Sequence, residues 1–149
     1  MSDLYEIARR AHYATSFNPE NRASDFVEGH TKDIENLKSL GIPEDKIKRF
    51  EDLTRRWLQV KSRCMSSMIA GPANFPVKRA EKANRAEHTA SQAWLDYYNK
   101  IVSYAKKEAY YLEHPEARQI VSGDSDALER LTDQLNALIA TQESMKIIN

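Results

Sequence analysis

The residues of this chain that are most suited to binding a ligand are basic side chains. They lie on both sides of a bend at residues 71–76, which contains glycine and proline. Lys78, Lys82 and Arg85 follow the bend at spacings of four and three, so a helix would place them on one face. Such a row of cations suits phosphate groups or an acidic protein surface. The candidate binding residues on the two arms of the bend are Arg55, Arg56, Lys61, Arg63, Lys78, Arg79, Lys82 and Arg85.

The alternative is a solvated basic face, neutralised by Glu81, Glu87 and an acidic C-terminal helix. The formal net charge is zero, but residues 44–107 contain 14 basic and 7 acidic residues, whereas residues 108–149 contain 3 and 8. Cations in the first turn of a helix lie at the positive end of its dipole, at a cost of about 0.3–1 kcal/mol each. This cost favours a role for the cations beyond structure.

Signals for catalysis or metal binding are weaker. The chain has no Gly-x-Gly-x-x-Gly, Walker, Gly-x-Ser-x-Gly or His-Glu-x-x-His sequence, and its four histidines form no His-x-x-x-His pair. A metal or hydrolytic site would need His30 to meet distant carboxylates, and the neighbouring Asp33 alone is more typical of a hydrogen bond. Cys64 cannot form an internal disulfide, and its apolar neighbours predict a buried side chain. We therefore expect a protein that is not an enzyme and has no cofactor.

Start and stop signals predict the helices that precede the bend. The first helix is predicted from Ser2-Asp3 to about Tyr13, and the second from Pro19 to Leu40, where Gly41 suits a C-terminal cap. A third begins at Pro43, and its apolar stripe runs from Ile47 to Met68. This stripe predicts one helix of about 25 residues and roughly 38 Å.

Two further helices are predicted after the bend. The fourth runs from about Val77 to Leu112, antiparallel to the third, with Trp94, Tyr97, Ile101 and Tyr104 on its inner face. The last begins near Gly123 and carries a heptad-like stripe of Leu128, Leu131, Leu135, Leu138, Gln142 and Met145. We expect an all-α bundle of about five helices, built on a long antiparallel hairpin and forming a single domain over residues 1–149.

The bend itself contains more than turn signals. Gly71-Pro72 stops one helix and Pro76 starts the next, whereas Asn74 and Phe75 are not needed to reverse the chain. We expect Phe75 to pack the bend against the core. The cations around the bend are here named the basic collar, which consists of Lys61, Arg63, Lys78, Arg79, Lys82 and Arg85.

The bend sequence also resembles a segment of known proteins. Residues 67–85, above all Gly-Pro-Ala-Asn-Phe-Pro-Val at 71–77, are similar to uncharacterised helical proteins of phages and conjugative elements. Residues 122–131 and 142–149 look similar as well, so the resemblance covers about residues 55–149. It implies no catalytic residue, and it implies a contact with the host, such as inhibition of CRISPR or restriction systems. The resemblance implies either a naturally short member of this group or a fragment of a larger mobile-element protein.

Two functional hypotheses follow. The first is a non-enzymatic accessory protein of a phage or mobile element, which binds nucleic acid or a nucleic-acid-handling host protein through the basic hairpin and inhibits host defence. The second is a structural module that forms homo-oligomers through the C-terminal helix, whose apolar stripe needs a partner. Because no window of 18 residues is apolar and the start lacks a signal peptide, we expect no membrane span and a location in the cytoplasm of a bacterial host.

Overall fold

The computed structural model describes residues 3–121 and 123–148, and these residues fold into helices without any β-strand. The predicted all-α fold class is confirmed. Ser2, predicted to cap the first helix, lies outside the described residues. In chain order the helices are α1 (Asp3–Tyr13), α2 (Pro19–Ser39), α3 (Glu44–Lys61), α4 (Ser67–Ala70), α5 (Val77–Glu113) and α6 (Ala127–Ile148), with a 3₁₀ turn at Pro115–Ala117.

The contacts within the chain group into two compact units, Met1–Glu108 and Ala109–Asn149. The first contains α1 to α4, most of α5 and both hydrophobic clusters. In the second, the Arg130 guanidinium donates hydrogen bonds to the carbonyl oxygens of Pro115 (3.4 Å) and Arg118 (2.6 Å). Arg130 thereby joins the 3₁₀ turn to α6. The single domain expected from the sequence stays a prediction.

Local capping explains where α2 begins and ends. The Asn18 side chain accepts a hydrogen bond from the backbone N–H of Asn21 (3.2 Å), and Pro19 occupies the first helical position. At the other end Gly41 has a φ of +70°, which glycine adopts without steric cost, and the Ile42 N–H donates to the Leu37 carbonyl (3.1 Å). Both ends lie within one residue of the prediction.

The predicted third helix is wrong at its C-terminal end. It stops at Lys61, so α3 has 18 residues rather than about 25, and the bend begins well before Gly71. The Ser62 hydroxyl donates to the Gln59 carbonyl (2.7 Å), and the N–H of Cys64 bonds the Lys61 carbonyl (2.9 Å), three residues back. Hydrogen bonds of this short span tighten and end a helix.

A hydrogen bond to the loop between α1 and α2 fixes the direction of the chain after α3. The Ser66 N–H donates to the Ala14 carbonyl (2.9 Å), and the Ser66 side chain accepts from the Met68 N–H (3.2 Å) to start the four-residue α4. Cys64 is 5% exposed and free, as predicted, but Met68 is 78% exposed instead of belonging to the core.

The antiparallel hairpin of α3 and α5 is present. The rings of Trp57 and Trp94 stack with centroids 4.9 Å apart and planes 5° apart. Closer to the start of α3, the Phe50 ring lies 5.2 Å from that of Tyr98. Rising residue numbers on α5 therefore meet falling numbers on α3, as two antiparallel arms require.

Helices α1 and α2 pack on this hairpin and complete its core. The Phe26 ring of α2 lies 5.4 Å from Trp57, and His30 lies 5.3 Å from Phe50, so α2 runs antiparallel to α3. Tyr104, predicted to face inward, is 61% exposed. Most buried hydrophobic residues form two clusters, Ala8, Ala11, Ala23 and Leu58 in one, and Leu37, Ile42, Ile47, Phe50 and Ile101 in the other.

A buried histidine lies among the aromatic rings of the core. His30 is 6% exposed, lies between the rings of Phe26 and Phe50, and has no hydrogen-bond partner at Nδ1 among the described residues. Burial lowers the pKa of His30, an effect that nearby Asp33 and Glu51 oppose. The uncharged imidazole is therefore the form that the folded chain favours.

We expect the free energy of unfolding to decrease as the pH falls below 6.5, the ordinary pKa of histidine. The reason is that the unfolded chain takes up a proton on His30 before the folded chain does. His30→Gln should reduce this pH dependence, whereas His88→Gln, at an exposed position, should retain it. Urea unfolding between about pH 5.5 and pH 7.5 measures it. Identical pH dependence in His30→Gln and the wild type would contradict the assignment.

Candidate functional site

Two of the predicted binding residues are neutralised within the fold. The guanidinium of Arg55 forms an ion pair with Asp3 of α1. Lys61 Nζ lies 3.8 Å from Glu87 Oε1 and 5.7 Å from the centre of the Trp57 ring. Glu87 also accepts a hydrogen bond from Trp57 Nε1 (2.7 Å). Arg55 therefore links α3 to α1 and Lys61 links α3 to α5, and each has an acidic partner within the fold.

Two further predicted binding residues on the first arm are exposed, but they do not lie together. One is in α3, and the other is in the turn that follows it. Arg56 borders a groove of ≈ 360 Å³ between α3 and α5, which Leu53, Val60 and Ala90 also line. Arg63 is exposed in the turn that follows α3. Neither makes an ion pair with any residue in the described part of the chain.

The second arm carries the densest group of exposed charges. Four cations occupy the first nine residues of α5 and form no ion pair within residues 3–121 and 123–148. The first turn of α5 contains no acidic residue, and Glu81 is the one carboxylate between residues 77 and 86. This group, the α5 cations, consists of Lys78, Arg79, Lys82 and Arg85.

Asn74 forms part of the turn that leads into α5. The Phe75 N–H donates to the Pro72 carbonyl (3.4 Å), which closes a β-turn over residues 72–75. Asn74 occupies the third position of that turn with a φ of +55°, a conformation that asparagine tolerates better than most residues. The expectation that Asn74 exceeds what chain reversal requires is therefore wrong.

Phe75 borders an open groove instead of being fully packed in the core. This groove, here named the bend groove, has a volume of ≈ 380 Å³ and lies between α4 with its preceding loop and the start of α5. Phe75 is half-buried in its wall. The apolar lining residues are Met65, Phe75, Val77 and Ala80, and the polar ones are Ser66, Ser67, Glu81 and Asn84.

Sequence reasoning missed a set of exposed apolar side chains near this end of the bundle. Met68 lies in α4, and Tyr13 and Phe17 flank the Ala14 carbonyl that binds Ser66. Their exposed fractions are 78%, 70% and 80% respectively. The exposure of Phe17 could have been predicted from the short loop of polar residues around it, because nothing in that loop provides an apolar partner for the ring.

Comparisons with known proteins add no family to this description. The chain matches no protein-family model, and comparisons with curated proteins and with solved structures find no match. The resemblance to phage and conjugative-element proteins stays a prediction, as does the absence of enzymatic activity. In the described residues, no three His, Cys, Asp or Glu side chains are grouped to hold a metal ion, and no helix is long and apolar enough to cross a membrane.

Proposed function

We propose that this chain is a non-enzymatic binding protein whose basic collar holds the phosphate backbone of nucleic acid. The observation that supports this most strongly is the group of α5 cations, four exposed positive charges within eight residues and without an ion-pair partner in the described structure. Arg63 adds a fifth exposed charge on the first arm. Lys61 belongs to the basic collar but, like Arg55, has an acidic partner within the fold, so the proposed contact surface consists of Arg63 and the α5 cations.

The position of the α5 cations argues against a purely structural role. Lys78 and Arg79 lie in the first turn of α5, where the helix dipole disfavours cations by about 0.3–1 kcal/mol each. Arg55 and Lys61 have acidic partners on other helices, whereas the α5 cations have no such partner among the described residues. Binding of a polyanion would offset this local cost, since each contacted phosphate releases condensed counterions.

Nucleic acid fits these charges better than a folded acidic protein does. Lys78, Lys82 and Arg85 form a row that spans about 10 Å along α5, at 1.5 Å per residue. A row of like charges suits a polymer with a charge at every repeat. In the mobile-element setting that the bend sequence suggests, such binding would block a nucleic-acid site of host defence.

The salt dependence of binding tests this proposal. We expect the affinity for a fluorescently labelled oligonucleotide to fall as salt rises, by about 0.9 log units per log unit of salt for each phosphate neutralised on a duplex and about 0.7 on a single strand. Fluorescence anisotropy in a series of salt concentrations gives the slope. A flat response would overturn phosphate binding.

Self-association through α6 is a second candidate function. Every side chain of α6 from Leu131 to Lys146 is exposed, and Leu128 and Leu138 are exposed by 82% and 69%. These leucines belong to a stripe with spacings of three and four, the pattern with which helices pair in coiled coils. A second copy of α6 would present a matching stripe.

We expect Leu135→Asp to abolish any such self-association, because it places a charge in the centre of the stripe. Asn136→Asp introduces the same charge one position away and should leave the mass unchanged. Light scattering over a range of protein concentrations measures the mass, and circular dichroism checks that both variants remain helical. A wild type that stays monomeric at high concentration would contradict this second function.

A further inference from the structure

We infer that the ligand of the basic collar is a single-stranded nucleic acid, one unstacked base of which enters the bend groove. This inference rests on the proposed function and adds the class of nucleic acid and the place of the base. It is carried by the position of the bend groove directly beside the row of α5 cations.

The helical geometry of α5 places phosphate and base contacts side by side. Val77, Glu81 and Asn84 line the bend groove at spacings of four and three, on one face of α5. Each is followed immediately by a cation, namely Lys78, Lys82 and Arg85. Successive helical residues are about 100° apart around the axis, at 3.6 residues per turn. A backbone that follows the cations therefore runs along the rim of the groove, and its bases can turn into it.

The lining of the bend groove suits a nucleobase. Among the described residues that line the groove, Phe75 is the one aromatic, and aromatic rings bind bases of any sequence by stacking. Glu81 and Asn84 supply a carboxylate and an amide, which can accept from and donate to the polar edge of a base. The charge of Glu81 also repels phosphate, which keeps the backbone on the side of the cations.

Duplex nucleic acid cannot use this groove without disruption. Its bases are paired and stacked, so a base would first have to leave the helix. A single strand has bases that are already free to turn. The volume of the groove, ≈ 380 Å³, lies in the range of about 300–1,000 Å³ that is common for small-ligand sites.

The test compares ligands of matched length: a single-stranded oligonucleotide as DNA and as RNA, its duplex, and an abasic strand that keeps the phosphates but lacks the bases. We expect both single strands to bind roughly 5- to 150-fold more tightly than the abasic strand, the range that corresponds to stacking of one base. The duplex should bind more weakly than the single strand. Fluorescence anisotropy at one fixed salt concentration measures all four affinities.

A variant then locates the base. Phe75→Leu keeps an apolar side chain but removes the stacking surface, so it should lower the affinity for the single strand to nearly that for the abasic strand. Its affinity for the abasic strand should not change. Phe17→Leu is the matched control, because Phe17 is 80% exposed and lies outside the bend groove.

The outcomes separate this inference from the proposed function. Equal affinity for the single strand and the abasic strand, or tighter binding of the duplex, would overturn base binding while leaving the basic collar in place. No binding of any of the four ligands would overturn both. The comparison of ligands uses the wild type, so a loss of folding in Phe75→Leu would not prevent the test.

Discussion

Replacement of Phe50 by alanine is expected to lower the free energy of unfolding by about 3–5 kcal/mol. The Phe50 side chain is fully buried where α2, α3 and α5 meet. Its ring lies 5.3 Å from His30, 6.0 Å from Trp94 and 5.2 Å from Tyr98. Alanine would remove these contacts and leave a cavity that rigid helices cannot fill. Because domains are stable by only about 5–15 kcal/mol, a large share of the stability would be lost.

Urea unfolding followed by circular dichroism measures this loss. Phe17→Ala makes the same chemical change at a side chain that is 80% exposed, and it should alter the stability by no more than about 0.5 kcal/mol. Similar losses in the two variants would mean that the core does not centre on Phe50.

Joint replacement of Lys78, Lys82 and Arg85 by glutamine is expected to weaken nucleic-acid binding about 100-fold at about 0.1 M salt. The expected loss follows from a salt slope of about 0.7 for each phosphate contact on a single strand, so three contacts contribute about 2.1 log units over the one log unit between about 0.1 M and about 1 M salt, where charge contacts contribute little. The slope of log affinity against log salt should decrease by about 2.1 in the same variant. Anisotropy titrations of the wild type and the variant give both quantities.

A control variant with the same change in charge separates a local site from a general effect of net charge. Lys38, Lys48 and Lys100 are exposed, and they lie near the other end of the first unit, since the start of α3 pairs with the region of α5 around Tyr97. Their joint replacement by glutamine should leave the salt slope nearly unchanged. An equal loss in both triple variants would contradict a site at the bend.

Local sequence signals correctly predicted the ends of a helix where those ends depend only on neighbouring residues. Asn18 and Pro19 at the start of α2 and Gly41 at its end act within a few residues, so their effect could be predicted. The end of α3 could not be predicted in this way. Apolar spacing continues through Cys64, and the direction of the chain is fixed by a bond from Ser66 to Ala14, which is remote in the sequence.

The same limit applies to the candidate site. Spacing located the α5 cations correctly on the second arm of the bend, but it gave no basis for separating them from Arg55 and Lys61. The partners of these two, Asp3 and Glu87, come from other helices, so only the packed structure identifies them. The bend groove could not be predicted either. One of its walls includes α4, and the sequence predicts that segment as part of the long third helix.

The most direct measurement of the central claim is a residue-by-residue NMR titration of the ¹⁵N-labelled chain with a single-stranded oligonucleotide. The basic collar and the bend groove predict that amide shifts concentrate in residues 63–67 and 75–85. Residues 38–48 and 97–101, near the other end of the same unit, should not shift. Shifts concentrated in those two control segments, with residues 75–85 unchanged, would contradict the claim that the bend holds nucleic acid.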